Sequence, residues 1–486
     1  MVRVRFAPSP TGFLHIGGLR TALYNYLFAK NQGGVFILRI EDTDQTRYVE
    51  GAIESLLRTL SIMGINPDEG PFLEDNKIKQ IGEFGPYIQS ERTSLYREYI
   101  KKLIENKTAY YCFCSQERLD NLRKEQELAK MTTKYDRHCL HLTKEEIEKK
   151  LEANEPYVIR LKIPEGETRF EDIIRGPITI SNQEVDDQVL IKSDGFPTYH
   201  LANVVDDHLM GITHVIRAEE WLSSVPKHVI LYKSFGWEAP QFAHLPLVLN
   251  KDRSKLSKRQ GDVAVEDFLA KGYLPQTLIN FIALLGFNPK ADQEIYTKEE
   301  LINAFDISKI NKSGAVFDEQ KLLWMNGQYI RLQTGFDLIK SIKPFLSSNE
   351  VSIDENFLER ICSVEKERAS LLSELAQKIS DYLQIPSYDP SLLVWKKADK
   401  QDARKHLEAI SAIVGSCSEE KFQSILEIEV MIKGYIQTNQ FSNGNVLWPT
   451  RVALCGLAQS PSPFELLWIF GKEESLRRLN HAIKLL

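Results

Sequence analysis

Residues 2 to 34 restrict the possible folds of this chain more than any other segment. Val2-Arg3-Val4-Arg5-Phe6 alternates like a strand, Leu19 to Lys30 carries apolar residues at helical spacing, and Gly33-Gly34 ends that run. Between them lies Phe6-Ala7-Pro8-Ser9-Pro10-Thr11-Gly12-Phe13-Leu14-His15-Ile16-Gly17-Gly18. Pro8 and Pro10 deny this turn both strand and helix, while Gly12, Gly17 and Gly18 let backbone come close to a ligand. A helix opening directly after such a turn aims its unpaired N–H groups and positive dipole end at bound phosphate. The turn therefore predicts ATP chemistry, with His15 donating to phosphate oxygens and Thr11, Gly12, Gly17 and Gly18 supporting the nucleotide. Taken alone, the segment also admits a purely structural strand-turn-helix.

The βα order continues with strand Val35 to Ile40 and helix Gly51 to Met63, which favours a parallel sheet with right-handed crossovers. Near Gly82 it breaks into helix Leu95 to Asn106, a cysteine region, a charged helix Lys144 to Ala153, and strands Tyr157 to Ile163 and Gln188 to Lys192. From Tyr199 the rhythm returns through Val215-Ile216, helix Val225 to Ser234 and strand Leu245 to Leu249. Past Lys255 the pattern is helical, beginning Glu266 to Lys271, Pro275 to Leu285, Lys298 to Phe305 and Asp318 to Tyr329, with no strand expected. The predicted class is α/β: a Rossmann-like doubly wound parallel sheet over 1–81 and 199–254, split by an α+β insertion at 82–198. An all-α half follows, as a helical region over 255–334 and an all-helical domain over 335–486.

Net charge is −6, which argues against indiscriminate nucleic-acid binding but leaves room for a local basic surface. The strand-like start carries no apolar signal segment, and the most apolar run, Leu278 to Phe287, is too short to span a bilayer. The expectation is a cytoplasmic protein with no membrane partner.

A second segment, Asn250-Lys251-Asp252-Arg253-Ser254-Lys255-Leu256-Ser257-Lys258-Arg259-Gln260-Gly261, concentrates cations in a polar, glycine-ended loop. It reads either as a solvated basic loop or as a closure over triphosphate, in which Lys255 and Lys258 follow negative charge onto pyrophosphate. Together the two segments resemble the paired signatures of class I aminoacyl-tRNA synthetases, usually written His-Ile-Gly-His and Lys-Met-Ser-Lys-Ser. Gly18 stands for the second histidine and Arg259 for the last serine, as is typical of the glutamyl branch. The resemblance to bacterial-type glutamyl-tRNA synthetases runs from residue 3 to the C-terminus. It includes Ile40-Glu41-Asp42-Thr43-Asp44, the stretch Gly195 to His208, and Val215-Ile216-Arg217-Ala218-Glu219-Glu220-Trp221.

The resemblance implies adenylation of L-glutamate by ATP, then transfer of the glutamyl group to the terminal ribose of tRNA(Glu). Neither step needs a protein nucleophile, so His15, Lys255 and Lys258 are the candidate catalytic groups, with Ser257 and Glu220 on the ATP side. Mg²⁺ is expected to arrive with the ATP phosphates rather than in a protein cage. A selective glutamate pocket needs cations for two carboxylates and an anion for the ammonium. Arg217, at a strand end, suits a two-pronged clamp on a carboxylate; Arg5 ends the first strand beside the same crevice; Glu41 suits the ammonium, with Ser9 nearby. By resemblance, Tyr199 and Asn203 complete the pocket, one helical turn apart. Each of these also has a structural reading: solvated strand end, ion-pairing acid, half-buried aromatic or interior cap. The resemblance further assigns the insertion to the acceptor end of tRNA and the C-terminal helices to the anticodon. Arg368 falls where an arginine often favours C at the last anticodon base. A monomer is expected.

Cys112-Phe113-Cys114 and, after a 24-residue spacer, Cys139-Leu140-His141 form Cys-x-Cys and Cys-x-His pairs. Three thiolates and an imidazole suit a closed tetrahedral Zn²⁺ site of structural kind, and some members of the resembling family hold zinc at this spacing. The alternative is three reduced cysteines and a surface histidine, with Tyr135 and His138 as competing ligands. Cys362, Cys417 and Cys455 read as small buried apolar groups.

Overall fold

The computed structural model describes residues 1–256, 263–290, 292–347 and 353–486. The chain forms two compact units, Met1–Phe268 with Leu278–Asp318, and Leu269–Thr277 with Glu319–Leu486.

The first unit opens with β1 (Arg3–Phe6), α1 (Ile16–Asn31), β2 (Val35–Leu38) and α2 (Ala52–Ile62). β1 and β2 pair in parallel from Arg3↔Val35 to Phe6↔Leu38, and the apolar faces of α1 and both strands are buried. A hairpin follows, β3 (Gly70–Glu74) with β4 (Lys77–Ile81), turning through Asp75 and Asn76 at φ 49 and 58. These two residue types tolerate the left-handed region, so the turn signal was present in sequence although the hairpin was not expected.

α3 (Thr93–Glu105), β5 (Ala109–Cys112), α4 (Gln116–Leu128), α5 (Lys144–Glu152), β6 (Val158–Leu161), β7 (Glu167–Asp172), β8 (Gly176–Ser181) and β9 (Val189–Ile191) come next. β5, β6 and β9 make one antiparallel sheet. α4 escaped the sequence reading because it buries no residue and so shows no apolar stripe; its N-cap Ser115 accepts from the Arg118 N–H.

α6 (Tyr199–Leu209), β10 (His214–Ala218), α7 (Val225–Phe235), β11 (Gln241–Leu245) and β12 (Val248–Leu249) complete the α/β part. β10 and β11 are parallel, and β7 joins β11 at Phe242↔Asp172, bringing the β7–β8 hairpin onto the same sheet. β7 thus lies inside residues 82–198 yet pairs with a strand of the resumed α/β rhythm. The expected strand Leu245 to Leu249 is two strands, because Pro246 offers no ladder N–H and Leu247 N donates to Glu219 Oε1 at 2.9 Å instead. α6 packs Leu201, Val204 and Val205 against Tyr96 and Leu103 of α3 and Leu231 of α7. It therefore carries residues of the cleft while lying in the insertion's core.

α8 (Val265–Lys271), α9 (Pro275–Ala283), α10 (Lys298–Ala304) and β13 (Ala315–Val316) follow. β13 corrects the strand-free expectation: it pairs in parallel with β12 at Val248↔Ala315. The second unit contains α11 (Glu319–Leu332), α12 (Gly335–Ile342), α13 (Glu355–Glu365), α14 (Leu372–Leu383), α15 (Lys400–Ser416), α16 (Ile425–Thr438), α17 (Asn443–Cys455) and α18 (Pro463–Leu485). Its core joins Ile361, Leu375, Leu407, Ile410, Leu454 and Leu467, and it buries Cys362, Cys417 and Cys455 as expected. No helix among the described residues is long and apolar enough to cross a membrane.

Candidate active site

The turn after β1 has no regular structure and is held by backbone bonds from Glu41 N to Pro8 O and from Val49 N to Pro10 O, both 3.0 Å. It forms one wall of a cleft of about 930 Å³. His15 is the N-cap of α1, and its Nδ1 accepts from Gly17 N at 2.8 Å. A neutral ring that accepts at Nδ1 carries its proton on Nε2, which makes that nitrogen the donor. A Cβ at Gly17 would lie 3.1 Å from the same Nδ1, so the glycine leaves room for the ring. Ser9, Thr11, Gly12, Gly17 and Gly18 line this wall.

Lys255 lines the cleft and is ion-paired with Glu220, also a lining residue. Past the basic loop, Val263 O accepts from Ile16 N and Val265 N donates to Leu14 O, each at 2.9 Å, so the segment that follows the loop pairs with the turn on either side of His15. Ser257 and Lys258 lie outside the described residues.

The predicted amino-acid residues meet the same cleft: Arg5, Glu41, Tyr199, Asn203 and Arg217 line it. Their charges are not equivalent. Arg5 makes a two-pronged contact with Asp207 at 3.0 and 3.2 Å, and Arg39 bridges Asp207 at 2.7 Å and Glu41 at 2.9 Å. Burial opposes the Arg39 charge, but Asp207, Glu41 and Asp206 outweigh it and hold its pKa well above the ordinary value. Burial also pushes the Glu41 carboxyl up despite Arg39 and Arg5, and Asn203 Nδ2 reaches Glu41 Oε1 at 3.4 Å. Arg217 instead donates to neutral acceptors: the Tyr199 hydroxyl at 2.6 Å, His244 Nε2 at 3.0 Å and Trp221 O at 3.3 Å. Its guanidinium edge therefore meets the cleft without the carboxylate that compensates Arg5.

Sequence reasoning missed Arg39, Asp206 and Asp207, and also His244 with its partner Asp172. The tandem Asp206-Asp207 is a visible signal, since two acids on an otherwise apolar helix need buried cations: Asp207 takes Arg5 and Arg39, and Asp206 takes Arg92 at 2.7 Å and the Tyr96 hydroxyl at 2.8 Å. Nothing local marks Asp172 or His244.

Away from the cleft, the Cys112, Cys114 and Cys139 sulfurs lie within 4.8 Å of one another, and Cys114 and Cys139 are 3.5 Å apart. Four-coordinate zinc with sulfurs at about 2.3 Å sets them about 3.8 Å apart, so this trio fits. His141 is exposed and outside that mutually close group, whereas the Tyr135 hydroxyl sits 3.4 Å from Cys112 and 3.3 Å from Cys114. Arg368 belongs to the second unit, half-exposed, with Nη1 donating to Val364 O at 3.3 Å and Nη2 lying 3.9 Å from Glu465.

The family of class I tRNA synthetase (E and Q) catalytic domains matches residues 1–324, and the anticodon-binding domain family matches residues 337–483. The glutamate–tRNA ligase of Clostridioides difficile is 48% identical over 493 residues, covering 99% of both chains, and that of Finegoldia magna is 48% identical over 497 residues, again covering 99% of both. The crystal structure of a glutamate tRNA ligase from Elizabethkingia meningosepticum, in complex with its amino acid, superposes with a TM-score of 0.89 at 38% identity over 99% of each chain. One family model covers the first 324 residues, a second covers most of the remainder, and the relatives match over nearly their whole length, so the chain belongs to the class I tRNA synthetases, in the glutamate–tRNA ligase family.

Proposed function

We propose that this chain ligates L-glutamate to tRNA(Glu) in two steps. In the first, the α-carboxylate of glutamate attacks the α-phosphorus of ATP, forming glutamyl-adenylate as the bond to the bridging oxygen breaks and pyrophosphate leaves. In the second, a hydroxyl of the 3′-terminal adenosine of the tRNA attacks the adenylate's carbonyl carbon and AMP leaves. The protein's part is to align reactants and compensate charge. The observation carrying this reading is one cleft lined by both the His15 turn and the charged set Arg5, Glu41 and Arg217.

His15 donates from Nε2 to phosphate oxygens, with Thr11, Gly12, Gly17 and Gly18 giving backbone access. Lys255 exchanges Glu220 for the triphosphate of Mg²⁺-ATP, joined by Lys258 and Ser257. Arg217 clamps the substrate's side-chain carboxylate; an amide there would lose a charge-assisted contact, which disfavours glutamine. Glu41, with Ser9, receives the ammonium, and Arg5, Tyr199 and Asn203 complete the pocket. Residues 82–198 bind the acceptor end, 255–334 the stem, and 335–486 the anticodon, where Arg368 favours tRNA(Glu). Cys112, Cys114 and Cys139 would hold a Zn²⁺ that braces the insertion and takes no part in the chemistry, and His141 would have to turn in from its exposed position to serve as the fourth ligand. The enzyme works as a cytoplasmic monomer.

ATP–pyrophosphate exchange with glutamate, run with and without tRNA(Glu), tests the reading. Glutamate-dependent exchange in the presence of tRNA supports it, and none under either condition sinks it.

A further inference from the structure

Arg5 and Arg39 spend their charge on buried carboxylates, and among the described residues the ion pairs do not include Arg217. Arg217 is nevertheless only 5% exposed and must be held. A carboxylate directly on its guanidinium would hold it and also cancel the charge the substrate needs. Here a carboxylate is present one residue further out: Arg217 Nε donates to His244 Nε2 at 3.0 Å, and His244 Nδ1 lies 2.6 Å from Asp172 Oδ2. Both outer residues are fully buried, on β7 and β11, the strands joined at Phe242↔Asp172.

The hydrogen positions follow from chemistry. A guanidinium can only donate, so His244 Nε2 must accept; its proton therefore sits on Nδ1 and is given to Asp172. Burial lowers the His244 pKa, which agrees with a neutral ring. Asp172 is fixed in turn, since its other oxygen accepts from Ile174 N at 3.0 Å and Arg175 N at 2.9 Å at the end of β7.

We propose that Asp172 and His244 are positioning residues for amino-acid selection: Asp172 sets the His244 tautomer, and His244 holds Arg217 by Nε so that its remaining edge meets the side-chain carboxylate with its charge intact. The inference rests on the assignment of Arg217 to the glutamate pocket. The interposed imidazole separates orientation from neutralisation.

Asp172→Asn tests the tautomer. The asparagine oxygen is retained by the backbone N–H groups, its NH₂ turns to His244, the ring proton moves to Nε2, and two donors then face each other across the Arg217 contact. Aminoacylation by the full-length protein should show the glutamate KM raised about 10- to 100-fold, with kcat and the ATP KM within about threefold. His244→Leu should do the same, whereas His244→Gln, whose amide oxygen accepts from Arg217 while its NH₂ donates to Asp172, should stay near the parent. This pair carries the test if Asp172→Asn does not fold. An unchanged glutamate KM in His244→Leu, beside a raised one in Arg217→Gln, would overturn the inference and leave the pocket standing. An unchanged KM in Arg217→Gln as well would remove both. Equal losses for glutamate and ATP would mean a general structural role and would also overturn it.

Discussion

A guanidinium's role in this protein depends on what faces it. Asp207 is where that is most easily tested, because it holds both Arg5 and Arg39. Asp207→Ala strands two buried cations and is expected to cost about 3–5 kcal/mol in a denaturant melt. Burial pushes the Asp207 carboxyl up, but Arg5 and Arg39 outweigh it and its pKa is lowered. Its contribution is thus complete above the ordinary aspartate value of about 3.9 and disappears as pH falls through the depressed native value. The histidines behind Arg217 act over a milder range. His200 Nδ1 is 3.1 Å from His228 Nε2, and burial, with Lys227 and Arg217, lowers the His200 pKa from 6.5 to about 3. As pH drops below 6.5 the unfolded chain binds a proton there that the native ring refuses, so stability falls by about 1.4 kcal/mol per pH unit for that group. Melts between pH 7 and pH 5 should show a shallower loss for His200→Gln than for the parent.

At the scale of elements, the first turn of α1 trades helix propensity for ring position. Alanine at position 17 would favour the helix by up to about 1 kcal/mol, yet its Cβ would press on His15 at 3.1 Å. Gly17→Ala should therefore leave the melting temperature unchanged or raised while lowering kcat/KM for ATP about tenfold or more. A parallel loss of stability would mean the glycine serves folding instead. In the insertion, Cys112 ends β5 and Cys139 lies in a single helical turn with little apolar support, its buried neighbours being Cys112 and Tyr135. A metal there would supply what the small core does not. Protein purified without added metal should contain about one zinc per chain, and chelation should lower the melting midpoint in the parent but not in Cys139→Ser.

Across the whole molecule, the second unit is assembled from two separated stretches, Leu269–Thr277 and Glu319–Leu486. Asn326 ties them: its Oδ1 accepts from Leu274 N at 2.9 Å, and its Nδ2 donates to Gly272 O at 3.3 Å and Ser370 O at 2.7 Å. Because the residue is fully buried, Asn326→Ala leaves backbone groups without partners and should cost about 2 kcal/mol or more in a denaturant melt. What was legible in sequence follows the range of the forces involved. The βα order and the helical second half come from local periodicity, and the choice of the His15 turn, Glu41 and Arg217 as residues of one cleft, and of the three cysteines as one cluster, comes from residue types suited to a task. The split at Pro246, the β12–β13 pairing, the β7–β11 junction, the tie through Asn326 and the Asp172–His244 support could not be read that way. They depend on which distant groups share one desolvated space: Arg5 meets Asp207 across 202 residues of chain. The sequence alone determined which cations and acids this protein carries; only the tertiary structure decided which of them share a cleft and which neutralise one another, because buried charge is set by neighbours in space rather than along the chain.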